Sequence, residues 1–130
     1  MDVDHGRTKD KRKEKGAVAE EHAASYLLDQ GYEIIDRNWR CRSGELDIVA
    51  RKDDFLIFIE VRSRSGSSRY GTPAESVNVH KINQVRKTAE VYLLYKQADL
   101  VNTMIRFDVI AVLLHADMTV ANLEHITEAF

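Results

Sequence analysis

The sequence predicts an α/β domain, one mixed sheet with helices on both faces. Three observations carry that prediction. Two helical patterns bracket a pair of apolar arms, Gly44–Ala50 and Phe55–Arg62, which read as a β-hairpin. A nearly continuous apolar run from Met104 to Leu114 has the composition of a buried central strand. The chain of 130 residues, 44% hydrophobic and 31% charged, suits a single domain with one core. A helix before and a helix after the hairpin can cover opposite faces of one sheet.

Residues 1–15 carry almost no apolar side chains and mix Lys9, Lys11, Arg12, Lys13 and Lys15 with Asp10 and Glu14. Such a stretch buries too little surface to offset its ordering entropy. A mobile charged tail is therefore expected, with 16–130 as the folded domain; a solvated tail is favoured over a basic arm on phosphates. From Gly16 to Gln30 the pattern is helical. Ala17, Glu20, Ala24, Leu27 and Leu28 form one stripe, His22, Tyr26 and Asp29 lie on the other side, and Gly31 terminates the helix. Tyr32 to Arg40 reads as a strand in which Trp39 packs in the core or at the sheet edge.

After the hairpin, Ser63 to Gly71 is a Ser/Gly-rich loop that carries Arg64 and Arg69 directly downstream of Arg62. A solvated connection and a phosphate-contacting loop are both open readings of it. Thr72-Pro73-Ala74-Glu75 reads as a capped helix start with proline at its first position. The pattern can pause near Asn78 and restart; it continues through Ile82, Val85, Ala89, Tyr92 and Leu93, and places His80 and Lys81 where they could face the loop. Arg106 and Asp108 share a face of the Met104–Leu114 strand and are expected to pair, and a short strand around Leu123 to Ile126 is expected at the edge.

The formal net charge of −2 marks neither a nucleic-acid nor a membrane partner globally. The lone Cys41 excludes an internal disulfide and fits a reducing compartment. No apolar run approaches the ~20 residues of a membrane span, so a soluble, cytoplasmic protein is expected. The five histidines stand in no zinc-ligand spacing, and no phosphate-binding glycine loop or serine-hydrolase elbow is present.

The chemistry concentrates in the hairpin. Strand period places Glu45 and Asp47 on a common face of one arm, and Glu60 and Arg62 on a common face of the other. With Asp53 and Asp54 as the loop, Lys52 pairs with Phe55, Asp47 lies opposite Glu60, and Glu45 lies opposite Arg62. Like charges facing across strands are destabilising. A divalent cation between Asp47 and Glu60 is the expected reason for them, and oxygen ligands suit Mg²⁺ or Mn²⁺. Such an ion would acidify a bound water and neutralise charge on a phosphorus centre, with Arg62 holding the phosphate. Glu20 falls near the middle of an apolar stripe, so it either meets an arginine or water at the helix start, where the dipole favours an acid, or joins the site. Convergence of Glu20, Asp47, Glu60 and Arg62 at one end of the sheet is the expectation.

Asp47 followed by Glu60-Val61-Arg62 resembles the PD-(D/E)xK signature of restriction-endonuclease-like nucleases, and the element order resembles their αβββαβ core. More closely, Gly16-Ala17-Val18-Ala19-Glu20, Gly31-Tyr32, Arg37-Asn38, Gly44-Glu45-Leu46-Asp47, Phe58-Ile59-Glu60-Val61-Arg62, Lys81 and Arg106-Phe107-Asp108-Val109 resemble the YraN family. That is a bacterial group similar to Holliday junction resolvases. The resemblance covers roughly Gly16 to the C-terminus. It implies that Glu20, Asp47, Glu60 and Arg62 are catalytic, with Asp47 and Glu60 holding metal, and that the partner is DNA, branched or otherwise structured. Arg64, Arg69 and Lys81 are the expected nucleic-acid contacts, and a homodimer is expected by analogy with the resolvases. The sequence departs from the nuclease pattern at Arg62, where lysine is usual. Arginine keeps its proton and can orient a water but not deprotonate it. A non-catalytic nucleic-acid-binding protein with a degenerate site is thus the alternative.

Overall fold

The first helix starts well before the predicted Gly16: α1 spans Val3–Asp29. Charge does not bar a helix, because Lys, Arg and Glu rank among the better helix formers. The computed structural model describes the backbone of residues 3–65 and 78–130, with side chains from residue 12 onward. The predicted Thr72–Glu75 helix start and Arg69 lie outside the described residues.

After α1 come β1 (Glu33–Cys41), β2 (Gly44–Lys52), β3 (Phe55–Ser65), α2 (Val79–Tyr95), β4 (Met104–Leu114) and β5 (Val120–Ile126). They build one five-stranded mixed sheet in the order β1-β2-β3-β4-β5, with α1 and α2 packed against it, so the α/β class holds. All neighbours are antiparallel except β3 and β4, which are parallel and joined by the crossover that contains α2. β5 is the predicted edge strand, extended to Val120.

The sheet separates two apolar clusters. On one side Ala19, Ala23 and Leu27 of α1 meet Ile48, Ala50, Ile57, Ile59, Ile110 and Val112. On the other, Val85, Ala89 and Tyr92 of α2 meet Leu46, Val49, Leu56 and Phe58. The α2 stripe is the predicted one with Thr88 added. The α1 stripe is turned relative to the prediction: Leu28 and Ala17 are exposed, while Tyr26 packs against the core. Alanines on several faces blur the periodicity, and the small Ala19 and Ala23 mark where the helix lies close to the sheet. Trp39 packs as expected, edge-on to Tyr92 at 5.2 Å between ring centres.

Candidate active site at the fork between β2 and β3

Lys52 pairs with Phe55, as predicted, and the ladder runs on to Ile48 opposite Ile59. Asp53 sits at φ 54°, a conformation that aspartate tolerates in a tight loop. Beyond Ile48 the two strands part. β2 stays paired with β1 as far as Gly44, and β3 stays paired with β4 as far as Ser65. The fork opens at the next position, where the same register sets Asp47 opposite Glu60. Two carboxylates facing each other across a ladder repel, which is the physical reason for the parting. Asp47 Oδ2 accepts the Val61 N–H at 2.9 Å, so a side chain takes up a backbone donor that the ladder has released. Leu46 packs with Val49 and Phe58 rather than with Ile48, so β2 turns over at Asp47. The predicted Glu45–Arg62 pair does not form in the ladder, which ends before it; Glu45 lies 3.5 Å from Arg40 instead.

Glu60 is only 3% exposed. Its Oε1 lies 3.2 Å from Lys81 Nζ. Burial and the neighbouring Glu60 charge push the Asp47 carboxyl up to about 7, against the opposing pull of the Val61 N–H and Lys81. The ammonium of Lys81 beside Glu60 offsets part of the repulsion between the two acids. Lys81 is positioned by its helix. The Asn78 side chain accepts the Lys81 N–H at 2.9 Å and caps α2, which places Lys81 in the first turn; the predicted restart near Asn78 is this cap. The same helix approaches Gly44 closely: a Cβ there would meet Gln84 and Thr88 at 3.1 Å, and its φ of 148° suits glycine alone. Lys81, expected as a nucleic-acid contact, thus stands on the acid pair.

Glu20 meets the arginine that the sequence left open. Its Oε1 accepts from Arg37 Nε at 3.2 Å and from Asn38 Nδ2 at 2.9 Å. Arg37 also bonds Glu21 at 2.8 Å. Asn38 reaches Glu20 from a left-handed turn of β1, φ 54°, that asparagine tolerates. Burial raises the Glu20 carboxyl, Arg37 opposes, and the Asp47 charge adds to the rise. Glu20 is therefore within electrostatic reach of Asp47 but held at the rim by β1. Arg62 and Arg64 follow Glu60 along β3 and line a polar recess with Val61 and Ser63.

The residues fit a hard divalent cation. Asp47 and Glu60 offer carboxylate oxygens at facing positions of the fork, and a cation would relieve their mutual repulsion. Among the described residues no group of three or more His, Cys, Asp or Glu side chains gathers as a ready ligand set. Two carboxylates with the remaining positions left to water and substrate is the coordination that Mg²⁺ favours.

A second charged network was only half visible in the sequence. Arg106 and Asp108 pair as predicted, through two hydrogen bonds of 2.9 Å. Asp108, fully buried, also meets His125 Nε2 at 2.7 Å and the Glu128 N–H at 3.1 Å. His125 Nδ1 lies 3.0 Å from the Tyr26 hydroxyl, and Arg106 donates to Tyr32. Burial alone would raise the Asp108 carboxyl, yet the bonds from His125, Arg106 and Glu128 hold it below its ordinary range.

Residues 19–112 match Uncharacterised protein family UPF0102. UPF0102 proteins of Desulforamulus reducens and Myxococcus xanthus are each 44% identical over 119 residues. The alignments cover 91% and 92% of this chain, and 96% and 90% of the relatives, respectively. That of Rhodococcus opacus is 42% identical over 116 residues, 88% of this chain and 94% of its own. The chain belongs to the UPF0102 family, the YraN-like group that its motifs resemble. No described helix is long and apolar enough to cross a membrane.

Proposed function

We propose that this member of the UPF0102 family is a divalent-metal-dependent endonuclease of the restriction-endonuclease-like class, acting on phosphodiesters of structured DNA. The observation that carries the reading is the acid pair at the fork. Asp47 and Glu60 converge where two strands separate, and burial with mutual repulsion raises Asp47 far above an ordinary aspartate. Mutually perturbed acids facing each other at the mouth of a cleft are candidates for a functional site. The αβββαβ order of α1 to β4 supports the fold class.

Asp47 and Glu60 would hold Mg²⁺ or Mn²⁺, and the bound ion would supply an acidified water and a counter-charge for the phosphate. The chain's own residues do the rest. The Val61 N–H fixes the Asp47 carboxylate, so one oxygen keeps a set direction. Arg62, permanently charged, steadies the phosphate oxygens but takes no proton. Arg64, next along the same recess, extends the positive lining along the strand's path.

The test is cleavage of four-way, flapped and single-stranded DNA in Mg²⁺ or Mn²⁺ by the native chain, beside Asp47→Ala and Glu60→Ala. Cleavage lost in both variants is expected. Cleavage that persists in both marks contamination and sinks the assignment. Retained DNA binding with no cleavage by the native chain supports the alternative, a binding protein with a degenerate site, for which Arg62 in the usual lysine position is the favouring observation.

A further inference from the structure

We propose that Lys81 is an internal counter-ion that a divalent cation displaces from Glu60, so that metal and a backbone phosphate are taken up together. This rests on the metal-dependent reading above. Lys81 Nζ lies 3.2 Å from Glu60 Oε1, its side chain 31% exposed where that of Glu60 is 4% exposed. Its charge also reaches Asp47. One ammonium therefore occupies the negative field of both expected metal ligands.

A double positive charge on those carboxylates would stand within a few ångströms of the ammonium, and like charges at that range repel strongly even at an intermediate dielectric. The ammonium must then leave Glu60. Lysine has a flexible four-carbon stem, and Lys81 lies on the first turn of α2 with a third of its side chain in water, so it can swing outward. A phosphate oxygen of a bound strand is the matching new partner. Linkage follows: whatever draws Lys81 off Glu60 tightens metal binding, and metal binding tightens the hold on phosphate.

The experiment is Mn²⁺ binding at pH 8, read by calorimetry and by the paramagnetic signal of free Mn²⁺, on the full chain and on Lys81→Met and Lys81→Arg. Each is measured alone and with a phosphorothioate-linked four-way junction, whose linkages resist hydrolysis. Without DNA, Lys81→Met is expected to bind Mn²⁺ at least about tenfold tighter than the native chain. Lys81→Arg, which keeps the charge, should bind like the native chain. The junction should tighten Mn²⁺ binding by the native chain and change Lys81→Met little. Circular dichroism checks the fold, and Lys81→Gln replaces Lys81→Met if the latter unfolds. Equal or weaker binding by the neutral variant, or Lys81→Arg matching Lys81→Met, overturns the proposal while leaving the metal site standing. No Mn²⁺ binding by any form at millimolar concentration overturns the metal-dependent reading itself, and this inference with it.

Discussion

Two aspartates on one sheet meet opposite fates. Asp108 pairs in register with Ile59, and Asp47 lies at the fork level with the next residue, Glu60. Asp108 receives Arg106, His125 and the Glu128 N–H, and its carboxyl is held low. Asp47 receives one backbone N–H beside another acid, and its carboxyl is pushed up to about 7. Desolvation acts on both, on the fully buried Asp108 and on the half-buried Asp47; the supply of donors differs. A carboxylate surrounded by cations and N–H groups is a staple that holds β4, β5 and the end of the chain together. A carboxylate set against its like is left with unspent binding capacity, and that is what a cation site requires.

The largest expected effect breaks the staple. Asp108→Asn leaves the half-buried Arg106 without its counter-charge; breaking a fully buried pair costs roughly 3–5 kcal/mol, so a loss of about 2–4 kcal/mol is expected here. Urea unfolding at pH 7 reads the loss, and Mn²⁺ binding by the folded fraction should be unchanged. A loss below about 1 kcal/mol would show that the network is ornamental.

The next effect has the opposite sign. Between pH 4 and 7 the unfolded chain surrenders the Asp47 proton while the folded chain keeps it, so this group lowers stability as pH rises and holds it lowered above 7. Asp47→Asn keeps an acceptor for the Val61 N–H and removes the charge. It should gain on the order of 1–3 kcal/mol at pH 8 and nothing at pH 4. Asp108 runs the other way: its contribution is full above the ordinary aspartate value and is lost as pH falls through its lowered one. Unfolding curves for the two asparagine variants across pH 3–8 should therefore leave the native curve in opposite directions at its high-pH end, Asp47→Asn above it and Asp108→Asn below it, and draw closer to it as pH falls.

The hairpin and its acids were legible because strand period and a two-residue loop determine which side chains face each other. The order of elements and the pairing of Arg106 with Asp108 followed from the same period. The partners of the acids were not legible. Lys81 is 21 positions beyond Glu60, and only the cap at Asn78 and the close approach at Gly44 bring α2 to the fork. His125 reads as an ordinary edge-strand residue until β5 pairs with β4 and sets it on Asp108. Alanine marks a helix face weakly, so the half-burial of Tyr26 and the exposure of Leu28 appear only once α1 packs on the sheet. Glu20 kept both of its open readings in part: it meets Arg37, and it still feels Asp47.

The smallest expected effect tests whether the two aspartate environments are independent. His125 bridges Asp108 and α1: its Nε2 lies 2.7 Å from Asp108 Oδ2 and its Nδ1 3.0 Å from the Tyr26 hydroxyl. Tyr26→Phe removes the hydroxyl and should cost about 1 kcal/mol, the worth of one hydrogen bond. Tyr26 lies on the same helix as Glu20, less than two turns away, so α1 covalently links the staple to the rim of the fork. A double-mutant cycle of Tyr26→Phe with Glu20→Gln, followed by urea unfolding, measures any coupling. Separate networks predict an interaction energy within about 0.5 kcal/mol of zero. A larger value would mean that α1 shifts as a body when either end is loosened, and the contrast between Asp47 and Asp108 would then describe two ends of one device rather than two independent sites.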